Sequence, residues 1–78
     1  MPTVFHEKGY QFFFVSSDAR EPVHIHVAKQ GNLCKIWLSP LRTAYNYGFK
    51  PHELQEITRI VAAHQTMIHE KWTEYFRK

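Results

Sequence analysis

Hydrophobic and polar residues alternate with a period of two through the first half of the chain, which is typical of β-strands. Glycine-containing and polar segments interrupt this alternation and predict turns between the strands. We expect two hairpins, joined by the polar loop of residues 16–22. The four predicted strands are residues 3–6, 10–15, 23–29 and 33–38.

The second predicted hairpin has one apolar and one mixed face, because successive side chains of a strand point to opposite sides. The apolar face is expected to belong to the core and collects Val23, Ile25, Val27, Cys34, Ile36 and Leu38. The opposite face collects His24, His26, Lys35 and Trp37. A core would not select imidazole, ammonium and indole groups together, so this second face is the candidate functional surface.

The strand with Phe12-Phe13-Phe14 is apolar on both sides. This pattern predicts a central strand that is covered on both faces, with a helix on one side. A second subunit is one candidate for the other cover.

The second half of the chain changes to a period of 3.6 residues, which predicts an amphipathic helix that starts at Pro51. One uninterrupted helix over residues 51–77 would be roughly 40 Å long, whereas the strands would span only about 17 to 23 Å. The far end of the helix should therefore extend past the sheet and pack against a second copy of the chain in a homo-oligomer. The aromatic residues of this predicted oligomer interface are Trp72, Tyr75 and Phe76.

The predicted fold class is α+β, with a four-stranded antiparallel sheet and one long C-terminal helix packed on one of its faces. A chain of 78 residues is long enough for one domain. We divide this domain, residues 1–78, into a sheet half at 1–39, a connector at 40–49 and a helix at 50–78.

Composition says more about the cellular compartment of the protein than about its function. The net charge of +3 and the isoelectric point near 9.2 permit a nucleic-acid partner without requiring one. The single cysteine, Cys34, cannot form an internal disulfide, which favours a reducing compartment. Because no apolar stretch is long enough for a signal peptide or a membrane span, we expect a cytoplasmic protein with no membrane partner.

The sharpest chemical feature is the pair His24 and His26, whose rings should leave the same face of one strand about 6.5 to 7 Å apart at the backbone. This spacing suits two ligands of one metal ion or two imidazoles around one phosphate. A metal site needs further ligands, and no candidate is convincingly placed, so we expect no cofactor and keep a divalent metal as an alternative. The candidates for a third ligand are His6, Glu7, Cys34 and His69.

Three functions fit the candidate surface. In the first, Trp37, Lys35 and the two histidines engage RNA or a partner protein, since an indole beside cations serves in both kinds of interface. In the second, the chain is a metal-independent ribonuclease in which His24 and His26 act as general acid and base and Lys35 or Arg20 stabilises the phosphate. In the third, His24 and His26 hold a divalent metal. The residues alone leave open whether the chain is an enzyme.

Several segments carry a resemblance to a known family. They are the MPTVF start with Gly9-Tyr10, the FFF run at 12–14, EPVHIHV at 21–27, KIWL at 35–38 with Pro40, NYGF at 46–49, and Glu53-Leu54 with Trp72 and Phe76. Over almost its whole length the chain resembles the four-one-six-zero family of bacterial domains of unknown function. The resemblance implies no activity. It implies a second small protein as partner, in a gene pair that resembles a toxin–antitoxin module.

The family's signature residues include His24, His26, Lys35 and Trp37, the same four that strand parity places on one face. Two positions depart from the family pattern. Ser39 stands where the family often has aspartate before proline, and Lys50 stands where it tends to have a serine-like helix cap.

Overall fold

The computed structural model of the protein describes residues 2–77 and has an antiparallel sheet backed by two helices, which confirms the α+β class. The strands follow one another in the order of the chain, and each pairs with the next. They are β1 (Thr3–Glu7), β2 (Tyr10–Phe13), β3 (His24–Lys29), β4 (Asn32–Leu38) and β5 (Leu41–Tyr47). The helices are α1 (Pro51–Ala63) and α2 (Gln65–Phe76), and a 3-10 turn occupies Ser16–Asp18.

The sheet has five strands, so the prediction of four strands followed by a connector at 40–49 was wrong. Within those residues, β5 pairs antiparallel with β4 on both sides of one irregular position. The register shifts between Lys35 and Ile36, where the partner changes from Tyr45 to Thr43. This bulge leaves Ala44 unpaired and breaks the period-two pattern, which is why the hydrophobic alternation did not reveal the strand.

The predicted single C-terminal helix is two helices, because the chain breaks at His64. The Nδ1 atom of His64 lies 2.9 Å from the carbonyl oxygen of Ile60, the acceptor that the His64 amide would use in a continuous helix. That amide donates instead to the carbonyl of Val61, at 3.1 Å. The His64 ring also stacks on Phe5 of β1, with 4.7 Å between ring centroids. Its side chain therefore replaces a backbone hydrogen bond, and α2 begins as a separate helix.

The separate second helix brings Trp72 back onto its own chain. Trp72 is only 8% exposed, and its ring lies 5.3 Å from that of Phe14 and 4.2 Å from that of Phe76. The argument that Trp72 needs a second subunit was therefore wrong, although Tyr75 remains 37% exposed. The homo-oligomer itself stays a prediction, and a melting temperature that rises with protein concentration would support it.

The core lies between one face of the sheet and the two helices. Its sheet side includes Ile25, Val27, Cys34 and Ile36, and its helix side includes Ile57, Val61 and Ile68. The register pairs His24 with Trp37 and His26 with Lys35, so these four residues share the opposite face, as strand parity predicted. None of the helices within residues 2–77 is long and apolar enough to cross a membrane.

We expect Trp72→Ala to lower the free energy of unfolding by about 3 to 5 kcal/mol, because it empties a buried aromatic site against Phe14. A domain of this size has little stability to spare, so Trp72→Leu is included as a milder variant. Tyr47→Ala, at a position 65% exposed, is the control and should change stability by about 0.5 kcal/mol or less. Urea unfolding gives the free energy of unfolding of wild type and of all three variants. Equal decreases in the free energy of unfolding for Trp72→Ala and Tyr47→Ala would contradict the packing of Trp72 against Phe14.

Candidate functional site

One carboxylate oxygen joins the two histidines of β3. The Oδ2 atom of Asp18 lies 2.7 Å from Nε2 of His24 and 2.8 Å from Nε2 of His26. The ring nitrogens and the carboxylate oxygen of these three residues all lie within 4.8 Å of one another. We call Asp18, His24 and His26 the Asp-His-His cluster.

Two local structures place the cluster. His24 and His26 are two residues apart in β3, so their rings project from the same face. Asp18 ends the 3-10 turn, where its amide donates to the carbonyl of Val15 and its carbonyl accepts from the amide of Glu21, each at 3.0 Å. These two bonds fold the loop of residues 16–23 over the start of β3, which brings the carboxylate onto the histidines.

The hydrogen-bond partners of the Nδ1 atoms restrict which ring nitrogens of the two histidines can carry a proton. Nδ1 of His24 lies 2.9 Å from the carbonyl oxygen of Pro22, which can only accept, so Nδ1 must carry a proton. Since the carboxylate of Asp18 also only accepts, Nε2 of His24 needs a second proton, or a cation in its place. Nδ1 of His26 lies 3.2 Å from the hydroxyl of Tyr45, which can donate or accept, so His26 can be neutral.

Burial and charge set the acidities in the cluster. Burial lowers the pKa of His26, an effect that the hydrogen bond to Asp18 only partly opposes. Burial alone would raise the pKa of Asp18, but the hydrogen bonds from His26 and His24 outweigh it, so the pKa lies below its usual range. Asp18 is therefore a carboxylate at neutral pH.

Aromatic rings enclose the two histidines. The ring of His24 lies 5.3 Å from that of Trp37 and 5.1 Å from that of Trp72, while Phe13 stacks on His26 at 5.5 Å. The side chain of His24 is only 1% exposed and that of His26 only 7%. The expectation that both histidines lie on an open surface was wrong, because the loop and these rings cover them.

The rest of this sheet face is more open toward the edge strand β5. Lys35 pairs with Glu21 of the loop, and its Nζ atom lies 4.5 Å from the centre of the Trp37 ring. Beyond it, register places Arg42 opposite Trp37, Tyr45 opposite Lys35 and Tyr47 opposite Leu33. We call the part of the sheet formed by Lys35, Trp37, Arg42, Tyr45 and Tyr47 the open face.

The structure brings together four of the five residues proposed for catalysis or binding: His24, His26, Lys35 and Trp37. The fifth, Arg20, is exposed in the loop two residues after Asp18. Of the earlier candidates for a third ligand, Cys34 is buried in the core, where burial raises its pKa to about 12. Glu7 lies 3.5 Å from His64.

Sequence reasoning missed the roles of Asp18 and Tyr45. Asp18 could have been singled out as a carboxylate in the short loop that leads directly to His24, but the two residues meet only through the 3-10 turn. Tyr45 lies in the segment that the sequence predicts as a connector, and the prediction of a connector assigns no face to it. Both became visible only with the tertiary structure.

We expect Asp18→Asn to lower the free energy of unfolding by about 1.5 to 3 kcal/mol in buffer with a chelator, because it removes the charge that both imidazoles contact. Glu21→Gln is the matched control in the same loop. Its side chain is 42% exposed, so the free energy of unfolding should fall by about 1 kcal/mol or less.

The effect of Asp18→Asn should depend on pH. Because the pKa of Asp18 is lowered in the folded state, the carboxylate stabilises the fold above its ordinary value of 3.8, and this contribution is lost as pH falls through the folded-state pKa. Denaturant titrations of wild type and variant should converge in that acidic range. A difference that stays constant down to full protonation would show that the charge is not its cause.

Comparison with known proteins identifies the family. No curated protein and no solved structure matches the chain. The family model described as "Domain of unknown function (DUF4160)" matches residues 9–73, a range that contains the Asp-His-His cluster and the open face. Since the match extends from the turn before β2 almost to the end of α2, the chain belongs to the DUF4160 family of domains of unknown function.

Proposed function

We propose that the chain is a binding module that holds a single-stranded segment of RNA on the open face. The observation that carries this proposal is the alternation of three aromatic residues with two cations on the neighbouring strands β4 and β5. Bases stack on aromatic rings while cations contact the phosphates, and this combination binds single strands with little dependence on sequence.

The aromatic residues are arranged for stacking. Tyr47 is 65% exposed at the end of the edge strand, and its ring centroid lies 5.0 Å from that of Tyr45. Trp37 is half-buried further along the same face. Each base stacked on such a ring contributes about 1 to 3 kcal/mol, so Tyr47 and its neighbour Tyr45 offer a platform for successive bases.

The cations lie beside these rings. Arg42 is exposed opposite Trp37, and Lys35 lies between the rings of Trp37 and Tyr45, at 4.5 and 5.9 Å from their centres. Glu21 pairs with Lys35 and partly neutralises it, so Arg42 is the cation most available to a phosphate. The net charge of +3 agrees with an anionic partner.

The geometry favours binding over the ribonuclease alternative. A general acid and base must come within hydrogen-bond reach of the substrate. The side chain of His24 is 1% exposed, and both histidines already have Asp18 on their Nε2 atoms. Acid–base chemistry at this pair would require the loop of residues 16–23 to open first.

A partner protein is the second candidate. The observation that favours it is the position of β5 at the edge of the sheet, where a strand of a second protein could pair with it. The second small protein of a toxin–antitoxin-like gene pair, which the family resemblance implies, would be such a partner. This role stays a prediction, as does the choice between toxin and antitoxin.

Wild-type protein should bind a single-stranded RNA oligomer of mixed sequence, as measured by fluorescence anisotropy of labelled RNA. Tyr47→Ala should weaken binding about 5-fold or more, since it removes a stacking surface. Arg42→Ala should weaken binding and make its dependence on salt less steep by roughly 0.7 for one lost phosphate contact. Arg59→Ala, which removes an exposed arginine of α1 on the other side of the molecule, is the control of equal charge and should leave affinity unchanged.

Two outcomes would reject the RNA proposal. Wild-type protein that binds no RNA at low salt would remove its basis. Equal losses of RNA affinity in Arg42→Ala and Arg59→Ala would indicate that the RNA is attracted by the net charge of the protein alone. Binding of a partner protein that is lost in Tyr47→Ala, in the absence of RNA binding, would favour the second candidate instead.

A further inference from the structure

We propose that the Asp-His-His cluster binds one divalent transition-metal ion of the kind that prefers imidazole and carboxylate ligands, with zinc as the representative. This inference goes beyond the proposed RNA binding and does not depend on it, because it concerns the covered part of the sheet face. The donor set is two Nε2 atoms and one carboxylate oxygen, which converge within 4.8 Å of one another. Three protein ligands of these types, with a water in the fourth position, form a common zinc site.

The hydrogen bonds around the cluster are compatible with a metal ion in place of the protons on the two Nε2 atoms. A histidine that binds a metal usually donates its other ring N–H to a carbonyl or a similar acceptor. Nδ1 of His24 has the carbonyl of Pro22 at 2.9 Å, and Nδ1 of His26 has the hydroxyl of Tyr45 at 3.2 Å. When Tyr45 accepts a hydrogen bond from Nδ1 of His26, both Nε2 lone pairs point toward Asp18, and a cation between the three groups would bind all of them.

The distances require the ligands to adjust. Ligands of a tetrahedral zinc ion lie roughly 3.3 Å apart when their bonds to the metal are about 2.0 Å long. The oxygen of Asp18 lies 2.7 and 2.8 Å from the two nitrogens, so it would move away by about half an ångström. Asp18 belongs to a loop rather than to the sheet and can shift by this amount. The two Nε2 atoms, for which the structure allows a separation of up to 4.8 Å, would also have to approach each other through rotation of the imidazole side chains.

The charges around the site permit a divalent ion. Asp18 supplies one negative charge, and Glu21 lies 3.7 Å from Nδ1 of His24. Lys35, the cation that faces the cluster, is held in its ion pair with Glu21. The aromatic rings around the two histidines exclude most water, which strengthens the attraction between the ion and its ligands. The ion would fasten the loop of residues 16–23 to β3.

The test uses full-length protein without a polyhistidine tag, treated with chelator and dialysed. Isothermal titration with Zn²⁺ should show one site per chain, and zinc should raise the melting temperature. Asp18→Asn should weaken binding at least about 10-fold, since even partners of metal ligands contribute that much. His52→Ala, which removes an exposed histidine of α1, is the control and should leave the affinity unchanged. Glu21→Gln, which removes a charge 3.7 Å from Nδ1 of His24, should weaken binding less than Asp18→Asn does.

Cobalt binding to the wild type provides a readout that does not depend on the folding of a variant. Co²⁺ in this site should give the intense visible absorption of four-coordinate cobalt, and zinc should displace it. No saturable zinc binding by the wild type would overturn the proposal. So would Asp18→Asn that binds as tightly as wild type, loss of binding in His52→Ala, or a cobalt spectrum of hydrated, six-coordinate ion.

Discussion

The contact of one Asp18 oxygen with two buried imidazoles is the interaction on which the candidate site depends. It places a partly buried negative charge beside two buried imidazoles, and such a charge is tolerated only when hydrogen bonds compensate it. His24 and His26 supply those bonds at 2.7 and 2.8 Å. In return, Asp18 holds the loop of residues 16–23 over β3 and removes both imidazoles from the surface. The cluster therefore determines which part of the sheet face is covered and which part is open.

A second constraint lies at His64, where a side chain replaces a backbone hydrogen bond and divides the helical segment. A straight helix would have extended past the sheet and left its last aromatic residues in water. With the break, Trp72 reaches both Phe14 and the ring of His24, at 5.3 and 5.1 Å. The helix break thus contributes to the wall around the Asp-His-His cluster, and the core and the site share a residue.

Strand parity predicted the shared face of His24, His26, Lys35 and Trp37, because a period of two leaves no freedom once a strand is located. The features that were missed depend on interactions that no periodic pattern contains. A bulge opposite Lys35 concealed β5, and the bond from the His64 ring to Ile60 concealed the helix break. The contact of Asp18 with the histidines depends on a 3-10 turn that directs the loop over the sheet, and this tertiary arrangement leaves no periodic signal in the sequence.

Tyr45 connects the covered and the open parts of the sheet face. Its hydroxyl lies 3.2 Å from Nδ1 of His26, and its ring lies 5.0 Å from that of Tyr47. A base stacked on this ring would fix the hydroxyl that orients His26, and a metal on His26 would fix the ring on which the base stacks. Binding energies at two sites that share an ordered element are coupled, and the coupling is reciprocal. The proposed metal site and the proposed RNA-binding face therefore share one side chain, Tyr45 of β5.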